Sequence, residues 1–261
     1  MTPGEIVKKA LSYSVRVISI TDHDTTDGVL PAIESARGRP LEVVPGIELS
    51  TEDEEREIHI LGYYISCDAP GLQRKLAGIR DKRVSRAEEI LVKLKRLGIS
   101  MEIDQVRQIA GSAGSLGRPH IARALIQFGY ADSVPDAFKN YLGREAPAFV
   151  PKHRLLPVEA IQMVRGAGGI PVLAHPAVSG ADAMVPAFVE AGLMGIEAFY
   201  PEHSPLMAAH YVALAKRYHL LITGGSDYHG ENVKNPVNMG GISFPVEYFK
   251  QLREAHQLMG G

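Results

Sequence analysis

Almost every strand-like apolar run in this chain stops at a side chain able to bind a metal ion. Ser14 to Thr21 runs into Asp22, His23 and Asp24, Leu41 to Ile47 into Glu48, Gly169 to Ala174 into His175, and Leu220 to Gly225 into Asp227 and His229. Buried parallel strands read as short continuous apolar stretches, and in barrel-like α/β folds the functional groups sit on loops after the carboxyl ends of the strands. Four repeats of that placement point to a shared site rather than to packing.

Composition narrows what the site can serve. With 261 residues, 45% of them hydrophobic, the chain has enough apolar material for one large α/β domain carrying an insertion. Lys plus Arg is 28 against 30 Asp plus Glu, a net charge of −2, so no overall positive field exists to hold a long nucleic acid. A local basic pocket for a small anion stays open. Cys67 is the only cysteine among ten histidines. That argues against a structural zinc ribbon and for hard or borderline divalent ions held by His, Asp and Glu. No apolar run reaches the about 18 residues of a membrane span and no leader-like segment opens the chain, so the expectation is a cytoplasmic protein with no membrane partner.

Texture divides the chain in three. Residues 1–65 and 151–261 alternate helix and strand patterns, whereas residues 66–150 are charged and helix-forming, with apolar residues three and four apart and no convincing strand. We therefore expect an α/β barrel domain interrupted by a helical insertion. Helices are predicted over Pro3 to Leu11, capped by Thr2, and over Pro31 to Ala36, Pro157 to Gly166, Met207 to Tyr218 and Val246 to Gln257. Strands are predicted over Val15 to Ile20, Leu41 to Ile47, Ile58 to Ile65, Ile170 to Ala174, Ile196 to Tyr200 and Leu220 to Thr223. An open doubly wound sheet is the competing architecture, but no glycine-rich phosphate loop follows the first strand.

The segment Asp22 to Asp27 packs four ionisable groups into six residues, a crowding that is electrostatically costly without a cation. His23, an imidazole between two carboxylates, has a ready partner for its second nitrogen. Asp24, Thr25 and Thr26 also suit a helix amino-terminal cap. Glu48 and His59 are unremarkable alone, and gain weight because a bridging carboxylate flanked by histidines is what a two- or three-metal hydrolase site requires. His175 ends a strand, with Pro176 stopping it. Asp227 and His229, two apart in an extended segment, point the same way. Asp22 and His203 are the catalytic candidates, His203 because it follows a barrel strand. Arg118 and His120 stand at a helix start, where amides and a guanidinium can hold phosphate. Arg118 reads equally as surface charge. Arg144 and Lys152 flank the return to the barrel and complete the substrate-binding candidates. Glu197 reads as structural, and Glu52 to Glu57 as a solvated hairpin.

In order along the chain, TDHDTTDG, GIE, HILGYY, RPHIARAL, IPVLAHP and SDYHG resemble the polymerase and histidinol phosphatase (PHP) family of metal-dependent phosphoesterases, over essentially the whole length. Within it the chain is most similar to the bacterial branch with a helical insertion, which includes nucleoside 3′,5′-bisphosphate phosphatases and 5′-3′ exoribonucleases. The resemblance implies a distorted (β/α)7 barrel whose mouth binds two or three divalent ions, manganese first, with iron, zinc or magnesium as alternatives. It implies His23, Glu48, His59, His175, Asp227 and His229 as metal ligands, with Glu48 as the bridge. It also implies a metal-bridged hydroxide attacking a phosphate ester of a nucleotide or short oligonucleotide. One departure stands out: family members begin with a strand ending in H-x-H followed by Asp-Gly, whereas Met1 to Glu5 resembles the helix after it. The first strand and three ligands are thus expected to be missing, through a start assigned too late or through loss of activity. That all six other positions are filled favours the former. The alternatives are a catalytically dead member that binds a nucleotide or partner, and an amidohydrolase-like metal hydrolase.

Overall fold

The computed structural model describes residues 1–53, 56–110, 116–151, 154–230 and 237–260. The chain divides into two compact units, Met1–Gln73 with Arg154–Gly261, and Arg74–His153. Its elements run α1 (Pro3–Ser12), β1 (Val17–Ile20), α2 (Val29–Ala36), β2 (Glu42–Asp53), β3 (Arg56–Tyr63), α3 (Pro70–Arg96), α4 (Ile103–Ala110), α5 (Arg118–Gln127) and α6 (Val134–Ala137). After a π-helical turn at Phe138–Leu142 come α7 (Pro157–Gly166), β4 (Ile170–Leu173), α8 (Pro176–Ser179), α9 (Val185–Glu190), β5 (Gly195–Phe199), α10 (Pro205–Arg217), β6 (Leu221–Gly224) and α11 (Val246–Met259). None of the described helices is long and apolar enough to cross a membrane.

The first unit is built on a curled six-stranded sheet in the order β1-β2-β3-β4-β5-β6. Pairings β1/β2, β4/β5 and β5/β6 are parallel, as alternation of strand and helix predicts. β3 departs from that rule and runs antiparallel to both β2 and β4. The reason is length: β2 ends at Asp53 and β3 starts at Arg56, whereas a parallel crossover needs about a dozen residues or more. The charged run thus belongs largely to a β-hairpin, with Glu52 opposite Glu57 and Arg154 beside Glu52 at 3.3 Å. β2 does not stop at Glu48 either; it continues to Asp53, which places Glu48 mid-strand.

Helices cover the sheet for local reasons. α1 starts with a reciprocal cap: the Thr2 hydroxyl accepts from the Glu5 amide, and the Glu5 carboxylate accepts from the Thr2 amide at 2.7 Å. Its apolar stripe and that of α2 leave Val7, Ala10, Val29 and Ala32 without solvent exposure. α7 lies against β3 so closely that a Cβ added to Gly62 would stand 2.9 Å from a Val164 methyl and 3.1 Å from one of Ile47. Gly62→Ala should therefore destabilise the protein by about 1–3 kcal/mol, measured by urea unfolding. The second unit contains only helices among its described residues, around Leu94, Val106, Ile121, Leu125 and Leu142, each fully buried.

Among the described strands, β1 and β6 each keep one unpaired edge. A cavity of about 620 Å³ opens in the first unit, lined by apolar side chains such as Val17, Ile18, Phe249 and Leu252 and by the polar groups that follow the strands.

Candidate metal centre

After β1 the chain stays alongside β2. His23 forms a parallel bridge with Glu48, the Asp24 amide donates to the Glu48 carbonyl at 2.9 Å, and the Glu48 amide donates to the Asp22 carbonyl at 3.3 Å. Asp24 does not cap α2, whose N-cap is Gly28. Its buried carboxylate accepts from the Ser50 amide at 2.9 Å, bracing the loop against β2 from a left-handed backbone position at φ 56°. Gly28 is needed for the same loop, because a Cβ there would meet an Asp22 carboxylate oxygen at 2.7 Å.

The hairpin then supplies two groups to one face. Ser50 pairs with His59 and Glu48 with Leu61, so Glu48 and His59 sit diagonally on the same side of the β2/β3 ladder. Glu48 is 4% exposed, and its Oε1 lies 2.6 Å from His59 Nδ1 and 3.2 Å from His175 Nε2. The His23 and His59 rings are 5.0 Å apart, those of His59 and His175 5.1 Å, and those of His23 and His229 6.0 Å. His229 Nδ1 lies 3.3 Å from Asp227 Oδ1. All six proposed ligands therefore join one continuous constellation, drawn from the loops after β1, β4 and β6 and from the hairpin.

Burial and close neighbours pull the charges of this site in opposite directions. Burial alone would raise the Glu48 carboxyl, yet its contacts with His175 and His59 hold it well below the usual range. Burial opposes protonation of His59, but Glu48 and Glu57 overcome it and push the imidazole up to about 9. His175 is raised as well: burial disfavours its charge, and Glu48 and Glu197 more than offset that. His23 is lowered, by burial first and then by neighbouring His59, although Glu48 pulls the other way. Burial likewise raises the Asp22 carboxyl.

Does the donor set fit a cation? His23, Glu48 and His59 each offer a ligand atom within 4.8 Å of the others, one carboxylate and two imidazoles. Both nitrogens of His59 and Nδ1 of His175 are buried without an aligned hydrogen-bond partner, the 2.6 Å approach of His59 to Glu48 included. Buried polar atoms without partners are costly. A divalent ion would take one ring nitrogen from each histidine it binds, and nitrogen with carboxylate oxygen is a donor set suited to first-row divalent metals. The residues fit.

The other candidates divide between the two units. Asp22 lines the same cavity. His203 holds the Ala198 carbonyl through Nδ1 at 2.9 Å, between the rings of Tyr200 and Tyr211, with Nε2 buried and unpartnered. Arg118, His120 and Arg144 lie in the helical unit. There the Arg118 guanidinium donates to the Leu142 carbonyl at 3.2 Å and stacks over Phe138 and Phe149, while His120 Nδ1 accepts from the Gly117 amide at 3.1 Å. Arg144 is exposed, and Lys152 is outside the described residues. Three contributors escaped the sequence: Ser50, whose hydroxyl is 3.3 Å from His23 Nδ1, Glu197, whose carboxylate receives the His175 amide at 2.9 Å, and Tyr200, which donates to Asp227 Oδ2 at 3.2 Å. For Glu197 a signal existed: a carboxylate inside an otherwise apolar strand.

A buried carboxylate flanked by imidazoles on a curled α/β sheet is an arrangement of the kind that metal-dependent hydrolases use. Comparison with known proteins narrows it. No family model matches the chain. It is 35% identical over 236 residues to the 5′-3′ exoribonuclease Rnm of Escherichia coli (strain K12), covering 88% of this chain and 80% of that one. It is 30% identical over 257 residues to the 3′,5′-nucleoside bisphosphate phosphatase of Chromobacterium violaceum, covering 94% and 90%. Among solved structures, one from Bifidobacterium adolescentis described as a metal-dependent phosphoesterase superposes with a TM-score of 0.78 at 28% identity, covering 96% of this chain and 90% of that one. The chain belongs to the PHP family of metal-dependent phosphoesterases.

Proposed function

We propose that the chain hydrolyses a phosphate ester of a nucleotide or short oligonucleotide, such as the 3′-phosphate of a nucleoside 3′,5′-bisphosphate, at a centre of two or three divalent ions. Manganese is the first choice of metal. The observation that carries this reading is Glu48, a buried carboxylate with one oxygen contacted by His59 and His175 and with His23 alongside. His23, Glu48, His59, His175, Asp227 and His229 are the proposed ligands. Ions bound there supply Lewis acidity toward phosphoryl oxygens and a water acidic enough to ionise near neutral pH. The protein's part is geometric and electrostatic: Glu48 keeps its negative charge, Asp24 and the hairpin fix His23 and His59, and Asp22 lines the same cavity with its carboxyl raised by burial. His203, with one nitrogen committed to a carbonyl, keeps the other as an acceptor.

Arg118, His120, Arg144 and Lys152 are carried forward as the proposed phosphate contacts. We read the sheet as part of a distorted (β/α)7 barrel. Residues 66–150 are read as an inserted helical domain. The net charge of −2 fits a short substrate better than a long polyanion.

Phosphate release from nucleoside 3′,5′-bisphosphates and short 5′-phosphorylated RNA, with and without added manganese, tests the reading. Release that depends on metal and on Asp227 supports it. Turnover of an amide or lactone with no phosphate release contradicts it.

A further inference from the structure

β5 carries none of the six proposed ligands, yet its carboxyl end holds two of them. His175 adopts φ 25°, ψ 60° and Asp227 adopts φ 45°. Neither is glycine, and such backbone positions persist only when the surroundings over-determine them. The His175 backbone is held by a residue of β5, and the Asp227 side chain by the residue just after that strand. Glu197 Oε2 accepts the His175 amide at 2.9 Å, and the Tyr200 hydroxyl donates to Asp227 Oδ2 at 3.2 Å, with the Tyr200 ring 5.2 Å from the His175 imidazole. Glu197 is 4% exposed within an otherwise apolar strand, where an unused carboxylate is expensive.

We propose that Glu197 and Tyr200 are positioning residues of the metal centre, Glu197 locking the backbone turn that aims the His175 imidazole at Glu48, and Tyr200 fixing the carboxylate of Asp227. The inference rests on the reading of His175 and Asp227 as metal ligands. Its chemistry distinguishes reach from charge. The His175 amide needs an oxygen at the position of Glu197 Oε2, which a glutamine also offers and an aspartate, one carbon shorter, does not.

The test uses the full chain and measures two quantities: Mn²⁺ affinity by calorimetry, and exchange of the His175 amide in the chelator-treated protein by NMR. E197D should weaken Mn²⁺ binding by about 10- to 100-fold and speed His175 amide exchange, whereas E197Q should keep both near the starting values. Y200F should weaken Mn²⁺ binding by about 10-fold and leave His175 exchange unchanged. H175A serves as the reference. If H175A weakens binding while E197D binds normally with a protected amide, or while E197Q is as impaired as E197D, the role of Glu197 is overturned. Normal binding by Y200F overturns that of Tyr200. If the unaltered chain binds no Mn²⁺, or H175A binds as well as it does, the ligand set itself is wrong and this inference falls with it.

Discussion

Glu48→Ala should abolish Mn²⁺ binding and reduce phosphate release by roughly a hundred- to a thousandfold, the scale seen when one electrostatic element of a preorganised site is removed. Glu48 is the group on which the site converges: its Oε1 is shared by His59 and His175, and its backbone is bonded in both directions to the His23 loop. The same substitution should destabilise the metal-free protein, by about 3–5 kcal/mol, because removing one partner of a buried pair strands the other. Urea unfolding after chelation measures that cost, and metal titration of the same variant measures the rest. A variant that binds Mn²⁺ normally would remove Glu48 from the centre.

The metal-free protein should also lose stability as pH rises. His59 is pushed up to about 9 in the folded state against an ordinary 6.5. A base raised on folding binds its proton more tightly in the native state, so its contribution is complete below about 6.5 and is lost as pH climbs through about 9. A shift of that size corresponds to roughly 3 kcal/mol. Glu197, raised to about 8 by burial, adds a fall of the same sign, because the unfolded chain ionises this carboxyl from about 4.5 upward while the folded one resists. The His59 share is isolated by comparing unfolding free energies of the chelated protein and His59→Gln between pH 6 and pH 9.5. The variant should show the flatter profile by about that amount, and parallel profiles would contradict the assignment.

How much of this was legible depended on which physical signal each residue left. His23, His175, Asp227 and His229 follow short apolar strands, and that junction between buried strand and polar loop is visible in one dimension. Glu48 was legible as a residue but not as a place. Leu41 to Ile47 reads as a complete strand, whereas β2 runs on to Asp53 because β3 pairs with it beyond the sheet's rim. His59 became meaningful only through its diagonal position across that hairpin. Glu197 reads as a structural carboxylate because nothing in sequence tells which backbone amide, 22 residues away, it will meet. Arg118 shows a different difficulty: a cation at a helix start suggests an anion site, and nothing in sequence tells that its guanidinium also engages the Leu142 carbonyl and two phenyl rings.

The proposed function stands on a divalent ion held among His23, Glu48 and His59. Anomalous diffraction from crystals equilibrated with Mn²⁺, recorded near the manganese edge, tests it most directly. A peak is expected within coordination distance of a Glu48 carboxylate oxygen and of imidazole nitrogens from His23 and His59, with any second peak toward His175, Asp227 and His229. No peak at Glu48, or a peak held by other residues alone, would contradict it.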